Sequence, residues 1–290
     1  MYYQDLIRLS FSSLVPLASQ SASNMARQKT QINAEKMALY NLDRAYQAMA
    51  ALAGKPVLEP RDTASFDCMH YLGDEALDNA AARLGLKAGD KVVDIGSGFG
   101  ATGRYLHSKY GADVTGVELQ PAIHDLAEDI TRRNGLGGSV RSVQGDFTLV
   151  ALDGPVDHVV SLLCITHIPD RAPVFEKAAR LLKPGGRVYI EDLFRRTPMD
   201  ETAAQLVRDV VQSPALPVRE TYVAELTAAG FRDVEFCDMS DVWSRFVADR
   251  TEAYRGTANA DPALLAFYET VSSLFLGGFL GGARITCTRE

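Results

Sequence analysis

Val92-Val93-Asp94-Ile95-Gly96-Ser97-Gly98-Phe99-Gly100 decides the fold. Valines run into an acid and then a glycine-rich turn, and a helical pattern starts near Thr102. The stretch reads as a strand, a tight turn and a helix N-terminus. Glycines let the backbone take positive φ and let a ligand come close. A helix N-terminus can seat the pyrophosphate of a dinucleotide, but the strict spacing of such sites wants a glycine where this chain has Ala101. Asp94 sits on the strand itself, and a carboxylate there suits a cationic or hydroxyl-bearing ligand better than a pyrophosphate.

Downstream, strand-like and helix-like patterns alternate. A second strand at 114–119 carries Glu118 and Leu119 at its end, about the distance at which nucleotide-binding α/β folds place a ribose-binding acid. Two acceptor oxygens facing a cis-diol give that role its chemistry. A helix at 121–134 begins with Pro121 and is followed by Gly135. A third strand at 140–143 is closed by Gly145-Asp146-Phe147, an acid that can accept from an exocyclic amine beside a ring that can stack on a purine. A fourth strand at 156–163 delivers Cys164-Ile165-Thr166-His167 to the same sheet edge. Ligands of open α/β sheets bind at the carboxyl ends of strands, so His167 falls in the cleft.

The remainder reads as a helix at 171–182, a turn at 183–186, a fifth strand at 187–191, and an insertion at about 193–218 with a helix near 201–211. A helix at 219–229, a sixth strand at 233–237, helices at 241–258 and 262–275, a glycine-rich loop at 277–282 and a terminal strand at 284–288 complete it. Insertions after strand ends commonly form substrate lids. At the other end, Leu39, Leu42, Tyr46, Met49 and Leu52 form the stripe of an amphipathic helix over 32–52. The segment Phe66–Asp74, with His70 and Tyr71, is dense in polar and aromatic groups. Residues 32–74 are therefore expected to form an N-terminal helical lid ahead of a main domain at 75–290. Residues 1–31, studded with serines, read as a poorly ordered tail or as a helix over the active site. Arg8 and Arg27 are few for an organelle transit peptide.

At 290 residues, 47% hydrophobic and with a net charge of −7, the chain can bury a sizeable core and offers no general basic face for nucleic acid. Four scattered cysteines lack a Cys-x-x-Cys pair, which argues for free thiols in a reducing, cytoplasmic setting. No apolar run reaches membrane-spanning length.

Asp-x-Gly-x-Gly-x-Gly at 94–100, the acids Glu118 and Asp146, and Leu182-Lys-Pro-Gly-Gly186 before the fifth strand together resemble the class I S-adenosylmethionine (SAM)-dependent methyltransferases. The resemblance implies a Rossmann-like, seven-stranded, mostly parallel sheet with helices on both faces and the last strand antiparallel. It implies SAM as cofactor, with S-adenosylhomocysteine as product. It places Asp94, Gly96, Ser97, Gly98, Gly100, Glu118, Leu119, Asp146, Phe147 and Cys164 around the cofactor. Gly96 and Gly98 would contact the methionine and ribose portions, Glu118 the ribose hydroxyls and Asp146 the adenine. Within the family the chain is most similar to the small-molecule branch, which includes sarcosine and dimethylglycine N-methyltransferases and phosphoethanolamine methyltransferases. In the phosphoethanolamine enzymes a Tyr before the glycine turn and a His on the fourth-strand loop form a catalytic dyad, for which Tyr71 and His167 are the nearest matches. The Asn/Asp-Pro-Pro-aromatic signature of nucleobase methyltransferases is absent after the fourth strand, so a small molecule is the expected partner, with the chain a monomer or homodimer.

Methyl transfer from a sulfonium is an in-line displacement that depends on alignment. For an amine acceptor, His167 would keep the lone pair free, while Phe194 and Trp243 would embrace a methylammonium product. Core packing is the competing reading of Trp243. S-methylation of a methylthio acid needs no base; there His167 would only hydrogen-bond, and Arg195, Arg196 or Arg219 would anchor the acid group. C-methylation of a lipid-like acceptor and a non-catalytic SAM-fold protein are the further alternatives. Glu191 and Asp192 could hold a metal for O-methylation, but no third ligand lies at suitable spacing, so no metal is expected.

Overall fold

The computed structural model describes residues 37–290; the tail at 1–31 and the first residues of the expected lid lie outside them. The sheet has the strand order β3-β2-β1-β4-β5-β7-β6. Its strands are β1 (Lys91–Ile95), β2 (Asp113–Glu118), β3 (Val140–Gln144), β4 (Val156–Leu162), β5 (Leu182–Arg195), β6 (Phe231–Asp238) and β7 (Leu280–Arg289). All neighbours pair in parallel except those of β7, which is antiparallel to both β5 and β6. This is the expected seven-stranded, mostly parallel sheet.

Side chains on a strand alternate between faces, and here both faces are buried. Val93, Ile95, Val159, Val188 and Ile190 join Phe175 and Tyr222 in one core cluster. Val92, Val114, Val160 and Tyr189 join Leu77, Leu84 and Leu106 in another. The covering helices include α1 (Leu42–Ala51), α2 (Pro60–Asp67), α3 (Asp74–Leu84), α4 (Ala101–Tyr110), α5 (Pro121–Arg133), α6 (Ala172–Leu181), α7 (Glu201–Asp209), α8 (Arg219–Ala228), α9 (Ser240–Arg255) and α10 (Pro262–Leu276). A third cluster gathers residues of α7, α9 and α10 around Tyr71 and Leu193. A fourth packs Ala45 and Met49 of α1 and Phe66 of α2 against Phe99 of the glycine turn and Ile123 of α5.

Three local expectations are corrected. The helix expected over 32–52 breaks at Asn41, whose side chain accepts from the Arg44 N–H at 3.2 Å as an N-cap. Tyr46, assigned to its buried stripe, is 47% exposed. The turn expected at 183–186 is absorbed into β5 as a bulge, because Val156 pairs with Leu182 and His158 already pairs with Arg187. The glycine loop at 277–282 is half strand: β7 starts at Leu280, and its two glycines lie under rings. A Cβ on Gly281 would run into the Phe194 ring and one on Gly282 into the Trp243 indole, so these glycines mark close approach rather than a turn. Among the described residues no helix is long and apolar enough to cross a membrane.

Candidate functional site

The order of the chain reverses between β1 and β4, so the crevice at their carboxyl ends is the switch point where such sheets bind ligands. The glycine turn hangs from β2: the N–H groups of Gly96 and Ser97 both donate to the Val117 carbonyl, at 2.9 and 3.1 Å. Gly96 has φ +73°, and a Cβ there would run into the Cys164 side chain. The turn and the β4 loop therefore touch across the switch point, and only glycine fits between them.

Glu118 is buried at the end of β2. Its Oε2 accepts from the Gly98 N–H at 3.0 Å and its Oε1 from the Gln120 N–H at 2.8 Å. Two backbone donors fix the carboxylate plane against the turn, and each oxygen keeps further acceptor capacity. Asp94 is 2% exposed, and its Oδ2 is buried without a hydrogen-bond partner. Burial, then the charge of Glu118, pushes its carboxyl up to about 7. Two buried acids with unmet acceptor capacity form a donor-hungry site, and hydroxyls and a cation are what it lacks. The Ser97 hydroxyl is likewise buried without a partner.

Asp146 is buried at the end of β3, with Oδ1 accepting from the Thr148 N–H and hydroxyl at 2.8 and 2.7 Å. Phe147, expected to stack on a purine, instead joins the main core, with Lys177 5.1 Å over its ring. Leu119 lies on the rim, its carbonyl accepting from the Gln144 side chain at 2.9 Å. Gly100 caps the N-terminus of α4 in a left-handed conformation.

His167 lies in a short turn after β4, partly exposed. Its Nδ1 is 2.9 Å from the Gln212 carbonyl. A carbonyl only accepts, so the proton sits on Nδ1 and Nε2 keeps its lone pair. Burial lowers the imidazole pKa, against the opposing pull of that carbonyl. The segment after α7 holds this loop from several sides. Ser213 donates to the Thr166 carbonyl at 2.9 Å, while Arg171 grips Glu225 through two nitrogens and donates to the Ala215 carbonyl at 2.6 Å.

Tyr71 is buried, with its ring edge-on to Trp243 at 4.8 Å and Arg250 at 5.0 Å, and among the described residues no hydrogen bond joins it to His167. Burial raises its hydroxyl pKa, with Arg250 pulling the other way. His70 is buried and bound locally, with Nδ1 3.2 Å from the Tyr71 carbonyl. Phe194 is core, edge-on to Phe236 at 5.1 Å. Trp243 is fully buried against Gly282, so neither aromatic offers an open face to a methylammonium. Arg195 is exposed at the end of β5, and Arg196 pairs with Asp238 and Asp241. Glu191 and Asp192 are neighbours on a strand and point to opposite faces. Glu191 is held by Arg284 at 2.9 Å and Tyr189 at 2.6 Å, and Asp192 by Tyr222 at 3.0 Å, so the two do not converge on a metal.

Some site residues went unnoticed in the sequence. Tyr40 sets its ring 6.3 Å from that of Phe99 in the glycine turn, and burial, then the charges of Glu118 and Cys164, raise the pKa of its hydroxyl. The carbonyl of Gln212, at φ +55°, sets the His167 tautomer without any side-chain signal. Arg104 donates to the Phe99 carbonyl at 2.7 Å and to Asp67 at 2.6 Å, tying α2 to the glycine turn.

A glycine turn at the switch point, with acids at the ends of three successive strands, defines a nucleoside-binding α/β protein. Residues 93–190 match the methyltransferase domain family. The methyltransferase GfsG of Streptomyces halstedii is 30% identical over 184 residues, 62% of this chain and 66% of that one. Phosphoethanolamine N-methyltransferase 1 of Triticum aestivum is 34% identical over 176 residues, 60% of this chain and 34% of that one. The Haemonchus contortus phosphoethanolamine N-methyltransferase 2, solved with phosphomonomethylethanolamine and S-adenosylhomocysteine, superposes with a TM-score of 0.70. That match covers 77% of this chain and 55% of that one at 22% identity, and so speaks for the fold alone. The chain thus spans from about a third to about two thirds of the length of the curated relatives it matches. Residues 93–190 thus belong to the methyltransferase domain family. Other matches are named as O- and C-methyltransferases, so membership leaves the acceptor atom open.

Proposed function

We propose that the chain transfers a methyl group from SAM to the amine of a small molecule, an amino acid or ethanolamine-like compound. When bound, SAM supplies a methyl carbon already activated by its sulfonium. Asp94 and Glu118 fit its cationic and hydroxyl-bearing portions, Glu118 accepting from ribose hydroxyls. The turn at Gly96, Ser97, Gly98 and Gly100 lets the backbone approach it closely, and Asp146 suits the adenine amine.

The observation that carries the amine reading is His167. Its Nδ1 proton is spent on Gln212, so Nε2 is an acceptor, and the lowered pKa keeps it unprotonated at neutral pH. A proton leaving an ammonium acceptor goes to Nε2. The freed nitrogen lone pair forms the new bond to carbon as the carbon–sulfur bond breaks. A thioether carries no such proton and has no use for a base.

The test is turnover with SAM on glycine, sarcosine, dimethylglycine, phosphoethanolamine and methylthio acids, with wild type and His167→Ala. A loss of amine methylation of about 10²-fold or more in the variant, with SAM affinity kept, is expected. Activity on a methylthio acid that survives the substitution would replace this reading with sulfonium synthesis.

A further inference from the structure

Arg250 on α9 is used by nothing described so far. Its guanidinium lies 4.2 Å from the Tyr268 ring centroid, 5.0 Å from that of Tyr71 and 5.5 Å from that of Phe246. Among the described residues no carboxylate pairs with it, and its Nε is buried without a hydrogen-bond partner. Arginine in a partly buried setting is ordinarily matched by an anion or by carbonyls, because an unmet buried donor is costly. A second unmet donor belongs to the same aromatic group: the indole N–H of Trp243, whose ring contacts Tyr71 from its own side, is buried without a partner. The two residues lie two helical turns apart and so share a face of α9. Leu163 and Leu193, from the ends of β4 and β5, pack into the same cluster as Tyr71 and Trp243. The cluster therefore abuts the edge of the sheet that carries His167.

We propose that Arg250 is an anion anchor for the methyl acceptor, which carries a carboxylate or a phosphate. The stacked rings hold the guanidinium plane by cation–π contact, and a fixed fork is suited to bidentate binding of either group. Tyr71 then serves the acceptor side by positioning Arg250. This assignment rests on the methyl-transfer reading above, and it specifies the acceptor: an amine with an anionic group, in place of a neutral amine or an apolar lipid chain.

The chain has a single tryptophan, and its contact with Tyr71 makes its fluorescence a direct reporter. The full chain is titrated with inorganic phosphate and, separately, with acetate, in wild type, Arg250→Gln and Arg250→Lys. A saturable change in wild type is expected, at least tenfold weaker in Arg250→Gln and partly restored by Arg250→Lys, with SAM affinity unchanged. The stronger of the two titrations names the group. In turnover, Arg250→Gln is expected to raise KM for an anionic acceptor about 10- to 100-fold while leaving KM for its ester or amide analogue unchanged. If wild type fails to respond to either anion, or Arg250→Gln responds like wild type, the anchor is refuted. Anion binding through Arg250 without any methyl transfer would instead remove the amine-methylation reading and leave the anchor standing. Should Arg250→Gln fail to fold, the comparison of wild type with Arg250→Lys still decides.

Discussion

Replacing Asp67 by alanine strips a buried cation of the only carboxylate that pairs with it among the described residues. In the folded chain Asp67 Oδ2 accepts from Arg104 at 2.6 Å and from the Thr63 hydroxyl at 2.6 Å, with the two charged side chains 5% and 2% exposed. Burial alone pulls the guanidinium pKa down, and Asp67 is what opposes it. Breaking such a pair from one side costs about 3–5 kcal/mol, because the surviving charge stays desolvated. Against a typical total of about 5–15 kcal/mol this is a large share. At roughly 2–4 °C per kcal/mol the melting temperature falls by about 10 °C. The loss reaches function through one further bond, since Arg104 also donates to the Phe99 carbonyl in the glycine turn at 2.7 Å. SAM affinity is therefore expected to fall with stability. The assay is urea unfolding of wild type, Asp67→Ala, Arg104→Met and the double variant, with SAM binding measured on each. The double variant buries no orphaned charge and is expected to be more stable than either single one. An Asp67→Ala within about 0.5 kcal/mol of wild type would refute the reasoning, as that is the range of an ordinary surface substitution.

Two further outcomes follow from the glycine turn and its acid. Gly96→Ala places a Cβ against Cys164 at positive φ and is expected to cost about 1–2 kcal/mol in backbone strain alone. It should weaken SAM binding at least tenfold by calorimetry; unchanged affinity would mean that the turn does not touch the cofactor. Asp94 has its folded pKa raised to about 7 by burial and by Glu118, so the folded chain without ligand holds that proton more tightly than the unfolded one. Its favourable contribution is complete below about pH 4 and is lost as pH rises through about 7. A cationic cofactor prefers the ionised form, so SAM affinity is expected to rise about tenfold from pH 6 to pH 8, and Asp94→Asn should flatten that profile. A wild-type profile already flat over that interval would remove Asp94 from cofactor binding.

The row of acids along one edge of the sheet was legible in the chain because its signals are local. Each acid stands at the end of its own strand, and the alternation of strands with helices makes those strands parallel, so their ends share one edge. Asp94, Glu118 and Asp146 thereby came together without any tertiary knowledge. The acceptor side has no such logic. His167 could be placed from the strand before it, yet its tautomer depends on a backbone carbonyl 45 residues away, at Gln212. Phe194 read as a ligand-facing aromatic and Trp243 as either that or core packing, and Gly281 and Gly282 draw both rings into the core. Those glycines looked like a loop because a sequence gives no sign of a ring lying across a strand. Arg195 and Arg196, next to the fifth strand, drew the anion-anchoring role by proximity, whereas Arg250 sits mid-helix in α9 and acquires its setting only when Tyr71 and Tyr268 close on it from distant segments. The two halves also face different tasks. Every member of the family must hold the same cofactor, so that half can be written in a few fixed positions. The acceptor differs from member to member, and the anchor proposed for it lies where α7, α9 and α10 pack into one cluster. Among the described residues that packing leaves Arg250 without a carboxylate, and the proposed anion anchor rests on that unmatched charge.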